Sequence, residues 1–137
     1  FVEIANLSGE DVALGGWRLL DEGDAGSTIP AGVVLPARAV AILAPDGYDP
    51  GGAGDPPADP AALIVRLGRT LGTQGLRNSG ESVSLVDADG NVVSIYPNNL
   101  GALADGVSAV RAPAASPDGD PFAWVRGARG AATPGRL

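Results

Sequence analysis

Glycine and proline make up about a quarter of this chain, with 21 Gly and 12 Pro among 137 residues. Both residues interrupt helices and central strands, because glycine is too free in its backbone and proline has no amide hydrogen. The hydrophobic fraction of 45% is nevertheless ordinary for a folded protein. Together these features predict one domain of many short elements joined by turns, which is the all-β pattern.

Strand-like patterns fill the segments between these breaks. Residues 1–7 alternate apolar and polar side chains, and Trp17 and Leu19 share one face of a second run. Residues 61–67 fit a strand or one helical turn, and the acidic stretch 21–28 is expected to be a loop. Roughly seven to nine short strands are predicted, which favours a β-sandwich over a barrel.

The clearest hairpin joins residues 81–87 to residues 91–96. The short loop between them contains Gly90, and glycine suits the left-handed backbone of a tight turn. The buried face of this hairpin is expected to carry four apolar side chains: Val83, Leu85, Val93 and Ile95.

Residues 45–60 differ from the rest of the chain in composition. Five Pro, four Gly and four Asp occupy thirteen of these sixteen positions, so neither a helix nor a central strand is expected. Such a segment is either a mobile surface loop or a spacer. It is interpreted as an insertion within a single domain that spans 1–137.

Several residue types are missing. The chain has no Cys, His or Met, and all nine basic residues are Arg. These absences exclude disulfides, thiolate or imidazole metal sites, His-dependent nucleophiles, Schiff bases and P-loops. Many carboxylates are present, but nothing marks two of them as an acid–base pair. We therefore predict no enzyme, no catalytic residue and no cofactor; catalysis by carboxylates and Arg alone is a distant alternative.

The net charge of -7 predicts repulsion of nucleic acid, so non-specific DNA binding is not expected. No apolar run approaches the roughly 18 residues of a membrane-spanning helix, so no membrane insertion is expected. The bias towards Ala, Gly, Pro, Asp and Arg is typical of a GC-rich genome. With no initiator Met or signal peptide ahead of Phe1, we expect a domain excised from a longer or processed protein.

Several sequence blocks stand in a fixed order: FVEIANLS at 1–8, GWRL at 16–19, GLRNSGESVSLVD at 75–87, DGNVV at 89–93, DGVS at 105–108, Trp124, and TPG at 133–135. Together they resemble the lamin tail domain, which occurs in nuclear intermediate-filament proteins and in many bacterial surface or secreted proteins. The last three blocks are similar to the ending of the bacterial branch. Apart from residues 45–60, the resemblance covers nearly the whole chain.

This resemblance implies an immunoglobulin-like β-sandwich and a role as an interaction or scaffold module. Trp17 is large enough to fill the space between two sheets. Asn6 and Asn78 can hydrogen-bond turn backbone, and Gly80 can adopt angles closed to other residues. Bacterial members usually have an earlier strand ahead of the segment that starts this chain. Its absence indicates either that the chain is truncated or that a partner or a later segment supplies the strand, and in the first case a sheet edge near Phe1 would lack a neighbour.

Carboxylates in several loops offer oxygen ligands for calcium. Residues 87–91 resemble the start of an EF-hand loop, but Asn98 stands where a bidentate Glu is needed, so a hairpin turn is the preferred interpretation. Acidic residues of separate loops form a calcium site only if those loops converge at one end of the sandwich. The candidates are Asp21, Asp24, Asp46 and Asp49. The alternative is solvated charge.

Arginine and aromatic side chains are the remaining candidates for binding. Two groups of arginines are close in sequence: Arg66, Arg69 and Arg77, and Arg126, Arg129 and Arg136. If they meet, they form a positive patch for phosphate or a carboxylate-rich partner; otherwise each pairs with a nearby Asp. Four aromatic side chains are expected to be exposed, too few for a sugar-binding platform: Tyr48, Tyr96, Phe122 and Trp124.

The combined hypothesis is a non-catalytic module for protein attachment or spacing, expected to be part of a secreted or envelope-associated bacterial protein. It would contact a protein partner by strand addition at the edge near Phe1, or through loop ends that carry Tyr48 and Trp124. The alternative is an accessory domain that brings an attached enzyme to DNA or a glycan, with calcium assisting. The neighbouring sequence of the full-length gene would separate these two readings.

Overall fold

A computed structural model describes residues 1–22, 26–72, 74–117 and 119–136. Over this part of the chain the fold is nearly all β, with one turn of 3-10 helix at Pro121–Ala123. Eleven short strands are present: β1 (Val2–Ala5), β2 (Val12–Ala13), β3 (Arg18–Leu20), β4 (Gly26–Thr28), β5 (Val34–Leu35), β6 (Val40–Ala44), β7 (Leu63–Arg66), β8 (Val83–Val86), β9 (Val92–Tyr96), β10 (Ala109–Arg111) and β11 (Trp124–Arg126).

Two sheets form the body of the protein. One has three strands in the order β1-β6-β7, and the other has four in the order β4-β3-β8-β9. Buried side chains from both sheets meet in one cluster, and Trp17 packs half-buried against it. The sheet residues in the cluster are Leu19, Ala41, Leu43, Val65 and Leu85. A core shared by two sheets is the architecture of a β-sandwich, so the predicted immunoglobulin-like fold class is confirmed.

Very short strands raise the strand number above the predicted seven to nine. β2 and β5 form one two-stranded pair, and β10 and β11 form another. Gly26–Thr28 is a strand, although residues 21–28 were expected to be a loop. Ser27 pairs with Leu19 and is buried, so β4 depends on pairing with β3 rather than on an apolar pattern of its own.

The segment 45–60 packs on the outer face of the three-stranded sheet. β6 and β7 run parallel, and parallel neighbours need a crossover connection of about a dozen residues or more. Residues 45–62 are that connection. Its Tyr48, 4% exposed, forms a second buried cluster with Ile42 and Ala44 of β6. The segment is therefore a packed crossover rather than a mobile loop or a spacer.

Arg66 fastens the start of this crossover. Its Nη1 atom donates hydrogen bonds to the carbonyl oxygens of Pro45, Asp46 and Tyr48, at 3.3, 2.7 and 2.9 Å. Hydrogen bonds from a charged donor are stronger than neutral ones. The arginine at the end of β7 thus holds the chain that leaves β6.

The predicted hairpin is present, with a different register. β8 and β9 flank a turn in which Gly90 has φ 90°. Leu85 pairs with Ser94, and Val93, expected on the buried face, is 40% exposed. A bulge between Leu85 and Val86 shifts the pairing by adding one unpaired residue, and no residue type at this position signals it.

Asn6 connects the end of β1 to the β2–β5 pair. Its Nδ2 atom donates to the carbonyl oxygens of Glu10, Leu35 and Pro36, at 2.7, 3.2 and 3.0 Å. Its Oδ1 atom accepts from the backbone N–H and the hydroxyl of Ser8, at 3.0 and 2.7 Å. Because Asn6 is 6% exposed, each of these bonds satisfies a group that water cannot easily reach.

The turn at residues 77–80 is held differently from the prediction. Gly80 has φ 85°, and a Cβ atom there would lie 2.7 Å from the carbonyl of Gly101. Asn78 is exposed, and its side chain has no hydrogen bond among the residues described. The buried carboxylate of Glu81 accepts the backbone N–H of Arg77 in its place.

Candidate interaction surface

The strands β10 and β11 form a two-stranded ribbon outside the two main sheets. Their register pairs Val110 with Val125 and Arg111 with Trp124. Side chains alternate along a strand, so these two pairs lie on opposite faces of the ribbon. Val110 and Val125 are 42% and 43% exposed, which makes theirs the outward face.

Trp124 attaches the inner face of the ribbon to the end of β9. The rings of Tyr96 and Trp124 meet edge to face, with centroids 4.9 Å apart. The Arg111 guanidinium lies 5.7 Å from the centre of the Trp124 ring, within range of a cation–π interaction. Tyr96 and Trp124 are thus half-buried and contact each other within the chain. Trp124 is therefore not the exposed loop-end contact that the sequence suggested.

Phe122 is the most exposed large hydrophobic side chain described, at 92%. It lies on the 3-10 turn, whose backbone is fixed at two points. The Asp120 carboxylate accepts the Phe122 N–H at 2.9 Å, and the Pro121 carbonyl accepts from Asn99 Nδ2 at 2.6 Å. The turn therefore presents Phe122 to solvent. We use the name ribbon face for three exposed apolar residues of the ribbon and of the turn that leads into it: Val110, Phe122 and Val125.

Sequence reasoning found only part of this surface. Phe122 was expected to be exposed, but nothing pointed to Val110 and Val125, because their outward direction is set by the contact of Trp124 with Tyr96. Tyr48 was expected to be exposed and is buried instead. It covers the apolar outer side of β6, and its ring lies 5.5 Å from that of Phe1.

The first arginine group is largely engaged within the chain. Arg66 binds the three crossover carbonyls described above. Arg77 lies 3.2 Å from Glu22 and 3.8 Å from Glu81 in ion pairs. Arg69 is exposed and lines a small cleft of about 210 Å³ beside Phe1.

Arginines of the second group also have partners within the chain. Arg126 donates to the carbonyls of Leu100 and Ala102, and Arg129 donates to the carbonyl of Asp105 at 2.8 Å. Arg136 lies 3.0 Å from Asp59. Carbonyl partners outnumber the acidic partners that sequence spacing suggested, because any backbone oxygen brought near by folding can accept from a guanidinium.

The calcium candidates do not assemble into a site in the described ranges, where no three acidic side chains lie close enough to hold a metal. Asp24 lies outside those ranges. Asp87, which starts the EF-hand-like stretch, uses its carboxylate within the hairpin. It accepts from Asn91 N and Nδ2 at 2.8 and 2.9 Å and from Asp89 N at 3.0 Å. The hydrogen bonds from Asn91, followed by those from Asp89 and Gly90, lower the pKa of Asp87.

The edge of β1 is open. Within the described residues no strand pairs with β1 on the side away from β6. Asn6 N donates to the Ala39 carbonyl at 2.9 Å, and hydrogen-bonded pairs alternate along an antiparallel ladder. The backbone polar groups of Glu3 and Ala5 therefore face the open edge, and the Glu3 carboxylate accepts the N–H of Gly135 beside it.

Comparison with known protein families identifies the family to which this fold belongs. The sequence model of the lamin tail domain matches residues 1–99, about three-quarters of the chain. The chain belongs to the lamin tail domain family. That family consists of non-catalytic immunoglobulin-like domains, which indicates an interaction or scaffold module. No curated protein matches the chain.

The matched region of this lamin tail domain ends just after β9. The ribbon face and the motif blocks at 105–108, Trp124 and 133–135 lie beyond it. Among the described residues, no helix has the length and apolar character needed to cross a membrane. The matched region thus contains the strands of both main sheets, and the exposed apolar ribbon lies outside it.

Proposed function

We propose that this lamin tail domain is a protein-attachment module of a secreted or envelope-associated protein, and that it binds its partner through the ribbon face. The observation that carries the proposal is the 92% exposure of Phe122 on a fixed turn. Exposed aromatic side chains on rigid backbone are typical anchors of protein interfaces, because burying them gains area at little cost in conformational entropy.

Charge distribution supports the same surface. Residues 1–99 carry five Arg and thirteen acidic side chains, whereas residues 100–137 carry four Arg and three Asp. The segment that contains the ribbon therefore carries a net charge of +1, whereas residues 1–99 carry -8. The open edge of β1 offers a second contact, by strand addition.

Site-specific photo-crosslinking tests this proposal. A photoreactive phenylalanine analogue at position 122 should give a crosslinked protein product that the same analogue at Val92 does not give, although Val92 is 63% exposed on β9. With the purified partner, Phe122→Ser should weaken binding by about tenfold or more while leaving the melting temperature unchanged. Equal crosslinking at both positions, or unchanged affinity of Phe122→Ser, would contradict it.

Two further measurements test the accessory-domain alternative and the proposed secreted or envelope-associated location. Repeating the capture with and without calcium, and with nuclease or glycosidase treatment, tests targeting to DNA or a glycan. A product that is lost on such treatment would favour the accessory-domain alternative. Fractionation of cells and medium tests the proposed location.

A further inference from the structure

An open cleft of about 480 Å³ lies between the turn that precedes β6 and the C-terminal segment. Its size is within the roughly 300–1,000 Å³ typical of small-ligand sites. Three parts of the chain line it: Arg38, Ala39 and Val40 from the turn and β6, Asp59 and Ala61 from the crossover, and Gly135 and Arg136 from the C-terminal segment.

The C-terminal wall of the cleft is held in place. Asp59 N donates to the Pro134 carbonyl at 2.8 Å, and Pro134 is fully buried. Gly135 N donates to the Glu3 carboxylate, and Arg136 Nε lies 3.0 Å from Asp59 Oδ2. The cleft is therefore formed before any ligand arrives, which lowers the cost of binding.

The acidic group of the cleft is already satisfied. Asp59 Oδ1 accepts the N–H of Ala61 at 2.9 Å, and Asp59 Oδ2 accepts from Arg136. The bond from Ala61, followed by the contacts with Arg136, lowers the pKa of Asp59, so this carboxyl is ionised at neutral pH. Asp59 and Arg136 thus balance each other in charge.

Among the described charged side chains that line the cleft, Arg38 is the one without a charged partner. It is exposed, and among the residues described it has no side-chain hydrogen bond or ion pair. Its backbone has φ 60°, a left-handed conformation that disfavours residues with a Cβ atom. The turn fixes this conformation, because Ala39 N donates to the Pro36 carbonyl at 3.1 Å and Ala37 N donates to Asp11 Oδ1 at 2.9 Å. Strained backbone that presents an unpaired cation at a preformed cleft points to ligand binding.

We propose that this cleft binds a carboxylate, which Arg38 holds through paired N–H···O bonds while Ala39, Val40 and Ala61 contact the attached carbon chain. A planar guanidinium matches a carboxylate in two-point geometry. The ligand is either an acidic residue of a peptide or a free small dicarboxylic acid. The site goes beyond the proposed attachment function, since it is built from other elements than the ribbon face.

NMR titration of the isotope-labelled protein tests the site with three probes: glutarate, N-acetyl-glutamate amide and N-acetyl-glutamine amide. We expect saturable shifts of the Arg38, Ala39 and Gly135 amide signals with the two carboxylates and none with the neutral amide. Glutarate binding about tenfold tighter than the glutamate derivative would assign the ligand to free acids, and the opposite order would assign it to peptides. Equal shifts with the neutral amide would overturn the proposal.

Variants complete the test. Arg38→Gly should abolish the saturable shifts without lowering the melting temperature, because glycine accepts φ near 60° readily. Arg69→Gln removes another exposed arginine and should bind like the original chain. Phe122→Ser should also bind normally, so failure of the ribbon-face proposal would leave this one standing. Saturable binding retained in Arg38→Gly would overturn the assignment.

Discussion

The edge-to-face contact between Tyr96 and Trp124, with ring centroids 4.9 Å apart, joins the end of the four-stranded sheet to the two-stranded ribbon. Tyr96 ends β9 inside the region matched by the lamin tail family, and Trp124 begins β11 outside it. The contact fixes one face of the ribbon against the sandwich. It therefore decides that Val110 and Val125 face solvent.

Tyr96 and Trp124 should be energetically coupled. In a double-mutant cycle of Tyr96→Leu and Trp124→Leu, we expect a coupling of about 0.5–1.5 kcal/mol, the range for aromatic pairs beyond area burial. Urea denaturation of the four chains measures it. Tyr96→Leu combined with Val110→Ala, on the opposite face, should be additive to within about 0.5 kcal/mol. Additivity of the aromatic pair would show that the ribbon is not attached through these rings.

Tyr48 should contribute strongly to stability despite its place in a proline- and glycine-rich segment. Tyr48→Ala removes the aromatic ring from the second buried cluster. It should lower the free energy of unfolding by about 3–5 kcal/mol, as for other large aromatic side chains. Tyr48→Phe should be neutral or stabilising, because the Tyr48 hydroxyl is buried without a hydrogen-bond partner in the described structure. Chemical denaturation measures both. A small effect of Tyr48→Ala on stability would instead favour the interpretation of residues 45–60 as a mobile loop.

Asn6 and Asn78 offer a matched comparison of two motif asparagines. Asn6→Ala removes the donor to the buried Leu35 carbonyl and the acceptor of the Ser8 N–H, and should cost about 1–3 kcal/mol. Asn6→Asp should cost more, since it replaces a donor with a carboxylate that faces three carbonyl oxygens. The same changes at exposed Asn78 should stay within about 0.5 kcal/mol. Equal losses at the two positions in a denaturation series would be inconsistent with the hydrogen bonds seen here.

Asp87 should make hairpin stability depend on pH. Hydrogen bonds from Asn91 lower its pKa in the folded state, so its contribution is fully present above the unfolded pKa of about 3.9. This contribution is lost as pH falls through the lower folded pKa. Asp87→Asn should therefore reduce the melting temperature at pH 7, and the difference from the original chain should shrink in strong acid. Melting curves from neutral to acidic pH measure this, with Asp89→Asn as the control. A difference that stays constant with pH would mean that the charge of Asp87 is not involved.

Several features of the fold could be predicted from local sequence alone. Alternation at residues 1–7 predicts β1, and the runs around Gly90 predict the β8–β9 hairpin, because period two and turn chemistry act over a few residues. The register of that hairpin could not be predicted. It depends on the bulge between Leu85 and Val86, across which the partners change from Ser94 to Val92 and Val93 is left unpaired.

The surfaces proposed for binding were less accessible to sequence reasoning. Arg38 carries no motif, and its significance comes from a left-handed backbone at a cleft whose far wall is about a hundred residues away in the chain. Tyr48 was misjudged because a loop composition conceals a buried side chain. In both cases the deciding contact is distant in sequence.

The sequence by itself determined the all-β class, because glycine, proline and apolar spacing restrict the backbone locally, and its ordered motif blocks indicated the resemblance to the lamin tail family. Only the tertiary structure decided which side chains are available to a partner. Arg66 and Arg126 are occupied by carbonyls 18 to 26 residues away, whereas Phe122 remains exposed. Whether a side chain is free to bind a partner depends on which groups folding brings within hydrogen-bond or packing distance, and these neighbours cannot be read from the residue type alone.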